Sequence, residues 1–220
     1  MLDTCVMMIV RNGEDYIEQC LRVIAPHVKR IKVAIDSRSK DGTGMIVLRL
    51  IAKFPNIEVS TFTIDDPSTD LVAMRNDQLN FKEKWGFIVD SDEYHQDISK
   101  YELGDGDAYA LQCWAIWSAT QSHRPSSRVT IGRIFRNKPH LKWKGQWGNE
   151  ILYCGDKKVF EDPTLLPYKY IHFTHFKKDK WREEMGQKRD ANGKHLIDTP
   201  IEIIKIVKEI HEKMPSLSRD

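Results

Sequence analysis

The run from Trp85 to Glu93 most constrains what this chain can fold into, because an apolar segment ends there in three acidic side chains. Trp85–Val89 has the continuous apolar pattern of a buried parallel strand, and in open α/β sheets the ligand site lies beyond the carboxyl ends of such strands. Asp90 and Asp92 follow at once. Clustered carboxylates repel each other unless a cation offsets their charge, and oxygen ligands favour Mg or Mn. The run therefore predicts a divalent-metal site, and a solvated acidic turn is the competing interpretation.

Strand-like and helix-like segments alternate through the first half of the chain. The predicted strands are Cys5–Val10, Ile31–Ile35, Ile57–Phe62 and Trp85–Val89. A helix is predicted after each of the first three, one capped by Asn12 and the last over Asp70–Lys84. Short connections between alternating elements predict a mostly parallel sheet with right-handed crossovers. Neither G-x-G-x-x-G nor G-x-x-x-x-G-K-[ST] occurs, which excludes a dinucleotide fingerprint and a P-loop.

The pattern changes in the second half, where strand-like segments have no long helices between them. These segments are Ala108–Trp117, Arg128–Phe135, Ile151–Cys154 and Tyr168–Phe173. We expect mixed or antiparallel pairing among them. A helix is predicted to begin at Thr199-Pro200. The chain is thus predicted to form one α/β domain over residues 1–176, with a nucleotide-binding half (1–97) and an acceptor-binding half (98–176), followed by a helical appendage over 177–220.

The amino-acid composition indicates more about the cellular environment of the protein than about its chemistry. Lys plus Arg total 34 against 32 for Asp plus Glu. The net charge is therefore too small to attract a polyanion such as nucleic acid to the protein as a whole. The four cysteines form no C-x-x-C pair, which speaks against structural zinc and a disulfide framework and favours a reducing compartment. No apolar run approaches the roughly 20 residues that span a bilayer. We expect a cytoplasmic protein, with peripheral attachment to a membrane or an assembly left open.

Four stretches, taken in order, resemble the family 2 glycosyltransferases of the GT-A fold. They are Val10–Glu14, Ile35–Thr43, Ala73–Asn76 and Val89–Glu93. A fifth element, Gly132–Asn137 followed by Trp147–Glu150, is similar to a subgroup pattern R-[IL]-F-R-N and then H-E. The resemblance covers roughly residues 4–176 and implies a GT-A-like fold. The chain departs from the family at Gly13, which replaces the first acidic residue of R-N-E-E, and at Asn149, which replaces the histidine.

The resemblance implies transfer of a sugar from a nucleoside diphosphate donor to a hydroxyl, with inversion and with Mn or Mg as cofactor. It implies that Asp92 binds the metal directly and that Asp90 approaches the ribose or, through water, the metal. A histidine near the carboxyl end often joins such a site, and His172 is preferred over His175. The remaining donor-binding candidates are Arg11, Asn12, Asp36, Asp41 and Arg75.

An inverting transfer needs a general base within hydrogen-bonding reach of the acceptor hydroxyl. Glu150 is the candidate, and Trp143 and Trp147 would offer rings on which an acceptor sugar stacks. Each residue also has a plainer interpretation. The tryptophans suit core packing, Asp41 suits an ordinary turn and helix cap, Arg75 suits a surface ion pair, and the histidines suit structural hydrogen bonds.

A UDP-sugar is the favoured donor, whereas the acceptor stays open between a glycan, a lipid-linked sugar, a protein and a modified nucleic acid. The stretch Arg133–Lys144 interleaves basic and aromatic residues, which suits either a polyanionic acceptor or a solvated strand face. The rival functions are a nucleotidyltransferase, a non-catalytic carbohydrate-binding protein and, more weakly, a metal-dependent phosphoesterase.

Overall fold

The computed structural model describes residues 1–95, 98–115, 127–146 and 149–173. These residues form eleven strands and three α-helices. The strands are β1 (Leu2–Val10), β2 (Val28–Asp36), β3 (Ile57–Phe62), β4 (Trp85–Ile88), β5 (Glu93–Tyr94), β6 (Ala108–Ala115), β7 (Ser127–Arg136), β8 (Leu141–Lys144), β9 (Ile151–Cys154), β10 (Lys157–Lys158) and β11 (Thr164–His172). The helices are α1 (Ile17–Ile24), α2 (Thr43–Lys53) and α3 (Pro67–Gln78).

Eight strands form one sheet in the order β3-β2-β1-β4-β7-β6-β11-β5. The first four are parallel to one another. Strand β7 then runs antiparallel to β4 and β6, while β11 is parallel to β6 and antiparallel to β5. The predicted fold class, a mostly parallel GT-A-like sheet with a mixed second half, is confirmed. A separate three-stranded sheet has the antiparallel order β10-β9-β8.

The core lies on both faces of the large sheet. Helix α1 buries Ile17, Cys20, Leu21 and Ile24, the face that its i, i+3, i+4, i+7 spacing predicts. These side chains join the apolar residues of β1 and β2 in the larger cluster. On the opposite face, Trp143 and Leu152 of the small sheet pack against a second cluster that includes Phe135. The small sheet is therefore held to the domain by side-chain packing.

Two helix boundaries differ from the prediction. Helix α3 ends at Gln78 instead of Lys84, because the Gln78 carboxamide donates to the Met8 carbonyl oxygen (2.8 Å) and Lys32 Nζ donates to the Asn80 carbonyl oxygen (2.8 Å). Helix α1 has Tyr16 at its N-cap, with no side-chain cap. The predicted cap, Asn12, has φ 52° and accepts a hydrogen bond from the Lys40 backbone N–H instead.

The sequence analysis missed the short strands β5, β8 and β10, because two to four residues carry too little alternation to indicate a strand. The predicted helix at Thr199 and the whole appendage over 177–220 lie outside the described residues. Among the residues that the structure describes, no helix is long and apolar enough to cross a membrane.

Candidate active site

The acidic run lies at the carboxyl edge of the large sheet, as its position after β4 predicts. The Val89 backbone N–H still donates to the Met7 carbonyl oxygen, and a turn then brings the Glu93 N–H to the Asp90 carbonyl oxygen, both at 3.1 Å. Strand β5 begins at Glu93 and pairs with the end of β11, which sets His172 opposite Glu93. This pairing places His172 Nε2 3.4 Å from Asp92 Oδ1.

One ligand atom from each of Asp90, Glu93 and His172 lies within 4.8 Å of the others. Their exposure differs sharply: the Asp90 side chain is 36% exposed and that of His172 20%, whereas the Glu93 side chain is fully buried. Asp92, 11% exposed, flanks the cluster through its contact with His172. Asp90 and His172 therefore face the solvent side of the site, whereas Asp92 and Glu93 are buried.

Arg133 is a buried counter-charge behind this cluster. Its Nη2 atom pairs with Asp90 Oδ2 at 3.2 Å and with Glu93 Oε1, and its Nε donates to the Tyr170 hydroxyl at 3.0 Å. The guanidinium carbon also lies 5.2 Å from the Tyr170 ring centroid. The solvated-strand interpretation is therefore wrong for Arg133, which is 7% exposed.

Glu93 uses both of its carboxylate oxygens within the protein. Arg133 holds Oε1, and His95 Nε2 lies 3.0 Å from Oε2. Burial, with the nearby charge of Arg133, keeps the pKa of His95 well below its ordinary value, so the imidazole is neutral and its other nitrogen lies 3.3 Å from the Tyr101 hydroxyl. Glu93 is thus fixed from two sides, which suits it to orient the carboxylates beside it.

The pKa values of Asp90 and His172, the two more exposed members of the cluster, shift in opposite directions. Burial opposes the charged form of Asp90, but Arg133, Arg75 and His172 outweigh it and lower the pKa of Asp90 to about 2. Burial likewise opposes imidazolium, but the hydrogen bond to Asp92 and the charge of Glu93 raise the pKa of His172 to about 11. A metal that bound His172 would therefore replace a proton.

The donor set fits a divalent cation. Within the cluster, Asp90 offers a carboxylate oxygen and His172 an imidazole nitrogen, while Asp92 contributes a carboxylate beside His172. Carboxylate oxygens suit Mg and Mn. His172 Nε2 and Asp92 Oδ1, which lie 3.4 Å apart, are the two atoms that such a cation would bind in place of the imidazole proton. Glu93 fits less well as a direct ligand, because both of its oxygens already have partners.

Asp36, a candidate for binding the nucleoside, is the last residue of β2. This strand lies on the side of β1 opposite to β4. Its carboxylate is fully buried, with Oδ1 accepting from the Arg38 backbone N–H at 3.0 Å. Oδ2 has no hydrogen-bond partner among the residues described, and Arg11 Nε lies 3.6 Å from it. A buried, unsatisfied carboxylate oxygen is costly, and its cost is offset when a bound group donates to it.

Asn12 and Asp41 tie the loop after β1 to the loop after β2. Asn12 Oδ1 accepts from the Lys40 N–H at 2.9 Å, and Asp41 Oδ2 accepts from the Glu14 N–H at 3.0 Å. The other Asp41 oxygen accepts from the Thr43 N–H at 3.1 Å, at the start of α2. The Asp41 contacts match the turn part of the plainer interpretation, although α2 has Gly42 at its N-cap and no side-chain cap. The predicted contact of Asn12 and Asp41 with a donor stays a prediction.

Gly13 has a steric reason for departing from the family pattern. A Cβ atom at this position would lie 2.5 Å from Val10 Cγ2 and 3.2 Å from Ser91 Oγ. Its backbone N–H donates to Thr43 Oγ1 at 2.8 Å. An acidic side chain at this position would therefore clash with Val10 and crowd Ser91 unless these residues moved.

Arg75 links the acidic cluster to Glu150. Its Nε lies 4.0 Å from Glu150 Oε1, and its charge contributes to the low pKa of Asp90. This Nε is buried and has no hydrogen-bond partner in the described part of the chain. The guanidinium carbon lies 5.2 Å from the ring centroid of Trp143. Arg75 is therefore not an exposed surface ion pair.

Of the two tryptophans proposed to bind the acceptor, Trp143 lies within the described residues and Trp147 does not. Trp143 is 7% exposed and belongs to the second apolar cluster, an environment that favours its packing role over an open platform for a sugar. Trp147 and His175 lie outside the described residues. The described candidates therefore fall into two groups: Arg11, Asn12, Asp36 and Asp41 on the β1–β2 loops, and Asp90, Asp92, His172, Arg75 and Glu150 around β4 and β9.

Sequence reasoning missed the roles of Arg133 and Asn76. Asn76 bonds the backbone of Trp143, across a separation of 67 residues. For Arg133 a signal existed, because it lies between Ile131 and Ile134 in a segment predicted to be a strand. A charge inside such a strand needs a buried partner, and the acidic run was the obvious source.

No protein-family model and no curated protein sequence matches the chain. Among solved structures it is similar to TarS 1-349 from S. aureus, with 16% identity and a TM-score of 0.47, covering 100% of this chain and 73% of that one. It is also similar to a mannosyltransferase from Pyrobaculum calidifontis in complex with GDP-Man and Mn2+, with 15% identity and a TM-score of 0.43. That match covers 61% of this chain and 44% of that one.

The chain also covers 44% of a longer TarS structure. At these identities and scores, we assign no donor, metal or acceptor from these proteins. The sheet order and strand directions described above carry the conclusion on architecture: the chain has the predicted GT-A-like α/β fold.

Proposed function

We propose that this protein transfers a sugar from a nucleoside diphosphate donor to an acceptor hydroxyl, with inversion at the anomeric carbon. The observation that carries the proposal is the cluster of Asp90, Glu93 and His172, with ligand atoms within 4.8 Å, at the carboxyl edge of a parallel sheet. Ligands of α/β sheets bind at this edge. A second observation supports the proposal: Asp36 Oδ2, at the end of β2, is buried and accepts no hydrogen bond within the described residues, with Arg11 Nε 3.6 Å away, so a donor group can bind it.

In this mechanism Asp92, Asp90 and His172 would hold Mn²⁺ or Mg²⁺, which would neutralise the charge that develops on the departing diphosphate. Glu93 orients Asp90 through the guanidinium that both carboxylates share. Asp36 Oδ2 accepts a hydrogen bond from the base or the ribose. A uridine diphosphate sugar is the donor we propose to test first.

Arg75 and Glu150 act on the two partners of the reaction. Arg75 Nε forms no hydrogen bond within the described residues and lies 4.0 Å from Glu150, so the guanidinium can donate to oxygens of the diphosphate. Glu150 takes the proton of the acceptor hydroxyl as its oxygen attacks the anomeric carbon from the side opposite the diphosphate. The bond from that carbon to the diphosphate oxygen breaks as the new glycosidic bond forms, so the configuration inverts.

The test is the release of nucleoside diphosphate from UDP-sugars in the presence of Mn²⁺. We expect wild type to release UDP slowly with water as acceptor, and Asp92→Ala to lose at least about 100-fold of this rate, because charge stabilisation at the leaving group is a large part of such catalysis. Asp156→Asn is the matched control, since it removes an exposed carboxylate from a turn away from the site. Equal release by Asp92→Ala and wild type, or no release from any nucleoside diphosphate sugar, would sink the proposal.

A further inference from the structure

Arg133 cannot move away from the cation cluster without breaking several buried contacts. Its Nη2 atom pairs with Glu93 Oε1, and its Nε atom donates to the Tyr170 hydroxyl at 3.0 Å. The fully buried Tyr170 ring stacks on the His95 ring, with 4.7 Å between centroids. His95 Nε2 in turn lies 3.0 Å from Glu93 Oε2. These four side chains form a closed ring of contacts that fixes the position of the guanidinium.

The fixed guanidinium engages one of the two carboxylate oxygens of Asp90. Arg133 Nη2 donates to Asp90 Oδ2 at 3.2 Å. Asp90 Oδ1 forms no hydrogen bond or ion pair with another residue that the structure describes. A cation bound to both oxygens would come into contact with the positively charged Nη2 atom, and like charges at short range repel each other. Asp90 therefore offers a cation one oxygen, Oδ1.

Divalent cations differ in how many protein oxygens they need. Mg²⁺ takes an octahedral set of ligands and keeps several waters, whereas Ca²⁺ takes about six to eight oxygens and often binds both oxygens of one carboxylate. Mn²⁺ suits carboxylates as Mg²⁺ does. Glu93 has both oxygens engaged, and Asp90 has one oxygen left. The cluster is therefore poor in the oxygens that Ca²⁺ requires.

We propose that Arg133 determines the cation specificity of the site: by holding Asp90 Oδ2, it favours Mn²⁺ and Mg²⁺ over Ca²⁺. This inference rests on the proposed function, because it concerns the cation that would bind the diphosphate of the donor. Arg133 acts through Asp90 and is a positioning residue. A purely structural Arg133 would change the stability of the protein but would not change the relative affinities for two cations of equal charge.

The ratio of the Ca²⁺ and Mn²⁺ dissociation constants tests the inference without turnover. Electron paramagnetic resonance of free Mn²⁺ gives one constant, and displacement of Mn²⁺ by Ca²⁺ gives the other. The double variant Arg133→Met, Glu93→Gln is compared with Glu93→Gln, which keeps the bond from Arg133 to Asp90. We expect the ratio to be about tenfold smaller in the double variant, the lower end of the effect of removing an outer-shell partner.

A second variant leaves every charge in place. Tyr170→Phe removes the hydroxyl that accepts from Arg133 Nε and should lower the ratio about threefold, the effect of one neutral hydrogen bond. If the double variant does not fold, Tyr170→Phe decides the question.

Arg75→Gln is the matched charge control. Arg75 also lowers the pKa of Asp90 but forms no hydrogen bond with it among the described residues. Its removal should strengthen the binding of both cations alike and leave the ratio within about twofold of wild type, because Coulomb energy depends on charge and distance.

The possible outcomes separate this inference from the proposed function. A ratio in the double variant equal to that of Glu93→Gln, or an equally large fall in Arg75→Gln, would overturn the role of Arg133. If wild type binds no Mn²⁺, the metal role in the proposed function fails, and the inference fails with it. If wild type binds Mn²⁺ and releases UDP from a UDP-sugar but the ratio does not change, only the present inference fails.

Discussion

Asn76 forms two hydrogen bonds to the backbone of Trp143, one through each end of its carboxamide. Its Oδ1 accepts from the Trp143 N–H at 2.8 Å, and its Nδ2 donates to the Trp143 carbonyl oxygen at 3.0 Å. The preceding residue, Arg75, lies over the Trp143 ring and 4.0 Å from Glu150. Two adjacent residues of α3 thus fix both the small sheet and the proposed base.

Replacing Asn76 by alanine should destabilise the protein and slow transfer. The change leaves a partly buried N–H and C=O of Trp143 without partners, which costs about 1–3 kcal/mol of unfolding free energy. Urea unfolding measures this loss. Asn80→Ala, at an exposed position, is the control and should stay within about 0.5 kcal/mol of wild type. A stable Asn76→Ala protein would show that the packing of Trp143 alone holds the sheet.

Arg133→Met should cost about 3–5 kcal/mol of unfolding free energy, because it removes the counter-charge and hydrogen-bond donor of the buried Glu93. Burial raises the pKa of Glu93 to about 8 even beside Arg133, so without Arg133 this carboxylate must take up a proton or stay charged without a partner. The double variant Arg133→Met, Glu93→Gln removes the charge from both partners and should recover part of that loss. Urea unfolding of the single and double variants gives the coupling energy between the two residues. Additive losses would mean that the two side chains contribute independently.

Asp36→Asn should weaken the binding of UDP by about 10-fold or more, because hydrogen bonds to a charged group contribute about 1.5–3 kcal/mol. Isothermal titration calorimetry measures this affinity. Asp65→Asn is a control, since Asp65 is an exposed residue that pairs with Arg38. Unchanged UDP affinity in Asp36→Asn would show that the buried Oδ2 atom does not contribute to donor binding.

His172→Ala should lower the affinity for Mn²⁺ at least about tenfold, the smaller end of what loss of an outer-shell partner costs a metal site. Electron paramagnetic resonance of free Mn²⁺ measures the bound fraction. His140→Ala removes an exposed histidine from a turn elsewhere and should leave the affinity unchanged. If both variants bind Mn²⁺ as wild type does, the cation contacts other groups.

One cysteine of the four should react quickly with a thiol reagent in the native protein. Burial raises the pKa of the Cys5 thiol to about 12 and that of Cys20 well above its ordinary value, and Cys113 is buried too. The reactive form is the thiolate, so Cys154, which is partly exposed, should react first. Titration with Ellman's reagent before and after unfolding counts the groups, and Cys154→Ser should lose the fast phase. A second fast thiol would show that the core near β1 or β6 is open.

The elements that the sequence predicted well are those whose pattern depends only on near neighbours. Helix α1 and strand β3 follow from periodicity, and β3 has the predicted bounds, Ile57–Phe62. The acidic edge after β4 follows from an apolar run that ends abruptly. Features that depend on distant contacts were missed: α3 ends early because its carboxyl end bonds residues of β1 and β2.

The same reason explains the unpredicted part of the candidate site. Arg133 meets Glu93 across 40 residues, and Asn76 meets Trp143 across 67. No local spacing indicates either pair. The motif resemblance located the right segments, but which side chains face the cluster depends on the pairing of β7, β11 and β5.

The separation of the two sheets has an evolutionary consequence. Within the described residues, β8, β9 and β10 pair only with one another, so exchanging this hairpin assembly would leave every backbone ladder of the large sheet intact. Evolution can therefore vary the outer side of this small sheet without changing the backbone of the large one.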